Sequence, residues 1–269
     1  MSGFSIEIYL MILLLSAMIF ILLRFFLAIY KPKDQKIKTT NIQNLGDREY
    51  QSNYFTIIHG RMGSLQEKFT PNFSSNNSET IFAALADGIV DTKSGRLSAI
   101  LAVDVLKTNF MKKNFKSFSQ FFETSKLQIQ KSLGDNINSN NLNLFLTAIK
   151  IENNVIHYAN SPESNNRQNH KIGNTIIVYR NKEIIYLEGN YPFFLKPKDI
   201  IMLASSGTIE NLKEVYIHWY LGLTDLSLKE KGFQLQKKVL EVLKSRNSTI
   251  ILLEMPAKNL AWEKRGYED

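Results

Sequence analysis

Apolar and polar residues follow three different periods along this chain. From Ile8 to Leu23 the run is apolar, broken only by Ser16 and the mildly polar Tyr9. Arg24 interrupts it and Phe25 to Tyr30 resume it. The whole run is long enough for a membrane helix, which needs about 20 residues. A shorter apolar run, Phe82-Ala83-Ala84-Leu85-Ala86, ends abruptly in Asp87-Gly88. That predicts a buried strand with a carboxylate at its end. Leu97 to Phe110 is amphipathic at helical spacing and should pack behind it. A second helix is expected over Ser117 to Leu133, ending near Gly134. The period then falls to two, which predicts strands at Leu144 to Ile151, Asn154 to Asn160, Thr175 to Arg180 and Glu183 to Leu187. Asn153-Asn154 and Asn181-Lys182 have the chemistry of hairpin turns. A last strand closes the pattern after one more helix. Lys229 to Lys244 is a helix with Phe233, Leu235, Val239, Leu240, Val242 and Leu243 at its apolar positions.

This order of elements is an α+β pattern. The expected organisation is an N-terminal segment over 1–30, a polar linker over 31–42, one domain over 43–255 and a loose polar tail over 256–269 that carries Trp262. Gly60 to Thr80 and Asp135 to Asn143 are rich in Asn and Ser and are expected as loops.

Charge gives the apolar run an orientation. Glu7 precedes it, and Lys31, Lys33, Lys36 and Lys38 follow it. A cleaved signal peptide would carry its basic residues before the run and small residues after it. The positive-inside rule places the N-terminus outside and everything after Tyr30 in the cytoplasm. Arg24 lies close enough to the end of the run to snorkel to the headgroups.

The chain has 269 residues, a net charge of +8 and no cysteine. No thiolate metal site or disulfide frame is available. Beyond the anchor, Lys and Arg are scattered along the sequence without a basic stripe and interleaved aromatics, so no nucleic-acid partner is expected. His157 and His170 are too isolated to form a ligand pair. The abundance of Lys, Asn and Ile fits an AT-rich, bacterial genome.

Taken alone, Asp87-Gly88 is a turn after a strand. Taken with its neighbours, it carries a resemblance. The stretch FAALADGIVDTKSGRLSAILAVDVL is similar to the second signature of the metal-dependent serine/threonine protein phosphatases of the PPM, or type 2C, family. Asp87 and Gly88 match; Val90 and Asp91 replace two glycines, and Arg96 replaces a glutamate. Leu45-Gly46-Asp47-Arg48 followed by Gln51 to Ile58 resembles the first signature. Ala159-Asn160 keeps part of the third, where Ser161-Pro162-Glu163-Ser164 replaces Val-Gly-Asp-Ser. Leu195-Lys196-Pro197-Lys198-Asp199, a strand and Ser205-Ser206-Gly207 resemble the fourth. Asn247-Ser248-Thr249 resembles the last.

The resemblance covers roughly 43–255 and implies a β-sandwich flanked by helices. It implies a phosphate-binding role for Arg48 and metal-binding positions at Asn53, Asp87, Ser206 and Arg246, with Gly88 beside the metal. If the first signature slips by one residue, Ser52 replaces Asn53. The family's chemistry needs two magnesium or manganese ions that activate a water and clamp the phosphate. Such ions want several carboxylates. Only Asp87 of these four positions is acidic, and Arg246 stands where a cation should sit, at a repulsion of several kcal/mol. The expectation is therefore a pseudophosphatase: a membrane-anchored regulatory or binding module with no cofactor. Its partner would be a protein, phosphorylated and met through Arg48, or an assembly partner met through the sheet edges. Two other readings stay open. One is an active phosphatase with a rearranged magnesium or manganese site built from Asp87 with Asp91, Glu163 or Glu210. The other is a structural subunit of a membrane complex.

Overall fold

A computed structural model describes residues 13, 15–22, 37–44, 52–59, 80–88, 93–112, 115–133, 144–161, 173–189, 191–242 and 247–257. Residues 1–35 and 36–269 form separate compact units. In the first unit, α1 (residues 15–22) is helical, with its apolar side chains exposed. The Ser16 hydroxyl donates to the Leu13 carbonyl at 2.8 Å, satisfying itself within the helix. No helix among the described residues is long and apolar enough to cross a membrane. The rest of the apolar run over 8–30 lies outside them.

The second unit is built from two five-stranded antiparallel sheets. The first joins β1 (Lys38–Asn44), β10 (Ser248–Glu254), β9 (Ile200–Ala204), β6 (Thr175–Arg180) and β7 (Glu183–Tyr186), in that order. The second joins β2 (Asn53–His59), β3 (Ile81–Gly88), β4 (Leu144–Glu152), β5 (Val155–Ser161) and β8 (Phe193–Phe194). Alternation along each strand sends one set of side chains between the sheets and the other set outward. Ile81, Ala83 and Leu85 of β3 meet Ile201 and Leu203 of β9 and Ile251 and Leu253 of β10 in the inter-sheet core. Phe82, Ala84 and Ala86 face α2 (Lys93–Lys112) and α3 (Phe118–Leu133). The outer face of the first sheet is covered by α4 (Ser206–Ile209), α5 (Glu214–Gly222) and α6 (Leu228–Val242). The order is helices, sheet, sheet, helices.

β3 is buried along its whole length because it has a layer on each face. Its alanines let Ala99 and Ala102 of α2 come close. Phe82 stacks on Phe110 at 4.2 Å and meets Phe121 edge-on at 5.8 Å. At the end of the strand a Cβ on Gly88 would lie 2.8 Å from the Gly95 carbonyl, so only glycine permits this approach.

Both expected hairpins are present. Asn153 and Asn154 have φ of 51° and 62°, and Asn181 and Lys182 have 50° and 67°. Two consecutive positive φ values match a type I′ turn, whose twist suits the strands. Lys198 also has φ of 67°, at a position where glycine would be unstrained. Lys198→Gly is expected to raise stability by about 0.5–1 kcal/mol, and urea unfolding will read it.

β1 occupies Lys38–Asn44, overlapping residues 38–42 of the stretch read as linker, and pairs along its full length with β10. α4 and α5 fill a stretch to which the sequence pattern assigned no element. The helix after them starts at a capping box: the Glu230 amide donates to the Ser227 hydroxyl at 3.3 Å, and the Ser227 amide donates to the Glu230 carboxylate at 2.7 Å.

His157, on the helix-facing side of β5, rests against the Phe118 ring. Burial lowers its pKa from the ordinary value, with help from nearby Lys150 and against the pull of Glu152. A lowered pKa disfavours the charged form in the folded state. Its contribution to stability is therefore present above about pH 6.5 and lost as pH falls through the lowered value. Urea midpoints should drop from about pH 7 to about pH 5, with a flatter profile for His157→Gln.

Candidate functional site

One end of the inter-sheet space is apolar and the other is polar. The inward positions of β2, β3, β4 and β5 include Phe55, Leu85, Ile149 and Tyr158. Continuing the same parity toward the end where β3 finishes, these strands present Asn53, Asp87, Thr147 and Asn160. The facing strands change in the same way: β1, β10, β9 and β6 present Gln43, Thr249, Ser205 and Asn174. Among these eight only Asp87 carries a charge.

Asn53 and Asp87 are cross-strand neighbours in register, so their side chains share one face. Both are buried, at 2% and 5% exposure. The Gly88 amide donates to the Ser52 carbonyl at 3.0 Å and fixes the two strand ends. Ser206, the first residue of α4, donates its backbone amide to Asp87 Oδ2 at 3.2 Å. Its hydroxyl also donates to Asp87 Oδ2 in a short hydrogen bond.

Asn53 turns its amide nitrogen toward Thr249 Oγ1, 3.4 Å away, and its Oδ1 has no hydrogen-bond partner. Gln43 Nε2 donates to the same Thr249 hydroxyl at 3.3 Å. The Thr249 amide donates to Ser205 Oγ at 3.0 Å and to Thr208 Oγ1 at 3.1 Å. Asn247 Nδ2 donates to Ser52 Oγ at 2.8 Å. Farther along, Asn174 Nδ2 donates to the carbonyls of Phe145 at 3.0 Å and Leu85 at 3.3 Å. The oxygens of Asn174, Thr147 and Asn160 are buried without partners.

The fold thus gathers Asn53, Asp87, Gly88 and Ser206 at one end of the sandwich, with Asn247 beside them. Arg48, Arg246, Asp91, Glu163 and His170 lie outside the described residues. Glu210 is exposed at the end of α4. Ser52 is fully buried behind the strand end and bonded to Asn247. The residues that the motifs did not single out are Gln43, Thr147, Asn174, Ser205, Thr208 and Thr249. Strand parity alone would have found Thr147, Asn174, Ser205 and Thr249, because each continues the inward parity of an otherwise apolar strand; Gln43 lies on the polar edge strand β1 and Thr208 in α4.

Among the described residues this set offers a single carboxylate. Hard dications need several carboxylates, and among the described residues no three His, Cys, Asp or Glu could share a metal. Asp87 Oδ2 accepts from Ser206, and Asn53 directs a donor toward Thr249. The arrangement is a hydrogen-bonded network of amides and hydroxyls around one carboxylate.

No family model and no curated protein sequence matches this chain. Solved structures do match its fold. The S. agalactiae serine/threonine phosphatase superposes with a TM-score of 0.61 at 14% identity, covering 82% of this chain and 100% of that one. The Mycobacterium tuberculosis serine/threonine phosphatase PstP/Ppp gives 0.59 at 11% identity, covering 82% and 99%. PppA of Pseudomonas aeruginosa, described as a key regulatory component of T6SS, gives 0.59 at 10% identity, covering 81% and 96%. Two antiparallel sheets between helical layers are the fold of the PPM-type serine/threonine phosphatases that this chain resembles.

Proposed function

We propose that this chain is a membrane-anchored, non-catalytic member of the phosphatase-fold proteins, with a cytoplasmic domain that binds a protein partner. The observation that carries the reading is the hydrogen bond from the Ser206 hydroxyl into Asp87. Where catalysis would need a second carboxylate facing a metal, the chain supplies a donor to the first. The apolar run over 8–30 supports the anchor, and the lysines after Tyr30 support a cytoplasmic side for the domain. Arg48 is the candidate contact for a phosphorylated partner, because guanidinium matches phosphate geometry. The regulatory role that PppA holds on this fold supports a signalling task.

One observation favours an enzymatic reading. The unpartnered Asn53 Oδ1 lies across from Asp87 and could complete an oxygen site for a single hard cation. Turnover of a phosphopeptide by the purified chain with manganese separates the two. No turnover above buffer, and none lost in Asp87→Asn, is the expected result. Turnover that Asp87→Asn abolishes would overturn the non-catalytic reading.

A further inference from the structure

We propose that the end of the sandwich opposite Asp87 docks on an anionic lipid surface through Lys182, Lys196 and Lys198. This rests on the anchored reading above.

The three lysines lie on two turns that the pairing of β6 with β9 sets side by side. Lys182 is in the β6–β7 turn, and Lys196 and Lys198 flank Pro197 in the turn before β9. Arg180 ties the turns together. Its guanidinium donates to Asp199 Oδ1 at 3.0 Å, to Asp199 Oδ2 at 2.6 Å and to the Phe194 carbonyl at 2.6 Å. The Lys196 amide donates to Asp199 Oδ2 at 2.7 Å. Arg180 and Asp199 neutralise each other. The lysines are exposed, and Glu183 is the one acid on these turns besides Asp199. The patch is therefore net positive. Beside it Phe194, whose carbonyl accepts from Arg180, is 66% exposed; Tyr191, on the preceding segment after Glu188, is 79% exposed. Aromatic rings among lysines suit the headgroup layer, which takes an apolar body and a polar tip together.

The chain enters the domain at this same end. Lys38 pairs in register with Glu254 and bonds it at 3.0 Å. The next residue, Met255, donates its amide to the Asp199 carbonyl at 2.8 Å. Eight residue steps lead from Tyr30 to Lys38, a span of at most about 29 Å when fully extended. A surface crossed by the apolar run is therefore within reach of the Lys196–Lys198 turn. Lys31, Lys33 and Lys36 add the same sign along the way. Each lysine near an anionic leaflet is expected to favour docking roughly fivefold.

The absence of cysteine makes the test clean. The full chain is reconstituted into phosphatidylcholine vesicles with or without phosphatidylserine. It carries an environment-sensitive fluorophore at Pro197→Cys, or at Lys93→Cys on the opposite end as reference. With phosphatidylserine the Pro197→Cys label should shift to the blue and be quenched by a lipid-borne quencher, while the Lys93→Cys label stays aqueous. High salt should reverse the shift. So should Lys182→Glu with Lys196→Glu and Lys198→Glu together, weakening docking on the order of 100-fold or more. A label indifferent to phosphatidylserine or to the triple substitution overturns the docking while the anchor stands. A chain that does not float with vesicles of either composition overturns the anchor, and this inference with it.

Discussion

Replacing Asp199 by alanine is expected to destabilise the domain by about 3–5 kcal/mol, the largest single-residue effect argued for this chain. Asp199 is 1% exposed and accepts from Arg180 through both carboxylate oxygens. It also accepts the Lys196 amide, so it holds the turn before β9 in shape. Arg180 is itself mostly buried, lying 4.9 Å over the Phe193 ring. Alanine would leave a desolvated guanidinium with the Phe194 carbonyl as its remaining acceptor, and would orphan a backbone donor. Against a total stability of about 5–15 kcal/mol for an ordinary domain, that loss is a large fraction. Urea unfolding gives the number directly. A loss below about 1 kcal/mol would mean that water reaches the pair freely, as at a surface ion pair. Arg180→Met combined with Asp199→Leu should recover part of the loss, since it removes the stranded charge. It should not recover all of it, because the Lys196 amide still lacks its acceptor.

The ends of this brace show which features the sequence carried openly. Leu195-Lys196-Pro197-Lys198-Asp199 was legible as a turn into a strand, and the hairpins at Asn153-Asn154 and Asn181-Lys182 were legible from Asn chemistry. Their positive φ values follow from the same local cause. The strands were legible because burial between layers imposes a period of two.

β1 was hidden for the opposite reason. Lys38–Asn44 has Ile42 as its one large apolar residue and sits at a sheet edge, so little of it needs to be greasy. α5 was hidden because Val215, Tyr216, Ile217, Trp219, Tyr220 and Leu221 are apolar all round, with no helical stripe. Packing of Ile217 and Leu221 onto the first sheet decides its structure. The lysine patch was invisible in a linear reading, which found the basic residues scattered. The pairing of β6 with β9, braced by the Arg180–Asp199 ion pair, brings the turns that carry them together.

The candidate site was half legible. Motif order pointed to Asn53, Asp87 and Ser206, and the fold does gather them. What motif order could not show is what surrounds Asp87 among the described residues. The answer lies in Thr249, Ser205 and Thr208, which hydrogen-bond among themselves and to Asn53 and belong to no charged pattern.

That network leads to the second large effect. Asp87→Ala is expected to lower stability by about 2–3 kcal/mol, and to do so equally in EDTA and in manganese. In this network Asp87 is a buried acceptor for the Ser206 amide and hydroxyl. Removing it leaves two donors with no carboxylate, and hydrogen bonds to a charged group are the stronger kind. The melting temperature should fall by roughly 5–10 °C. Asp87→Asn keeps a carbonyl oxygen in place and should lose less, about 1 kcal/mol. The sign in EDTA is the discriminating quantity. A site built to hold two dications crowds several carboxylates together, and without metal those carboxylates repel. Deleting one of them would relieve the metal-free protein and harm only the loaded one. Here there is no crowd among the described residues, so the metal-free protein should suffer in full. An Asp87→Ala chain that melts with the parent in EDTA, and falls below it only when manganese is added, would show that Asp87 serves a metal and that the hydroxyl network is not what holds this end of the sandwich together.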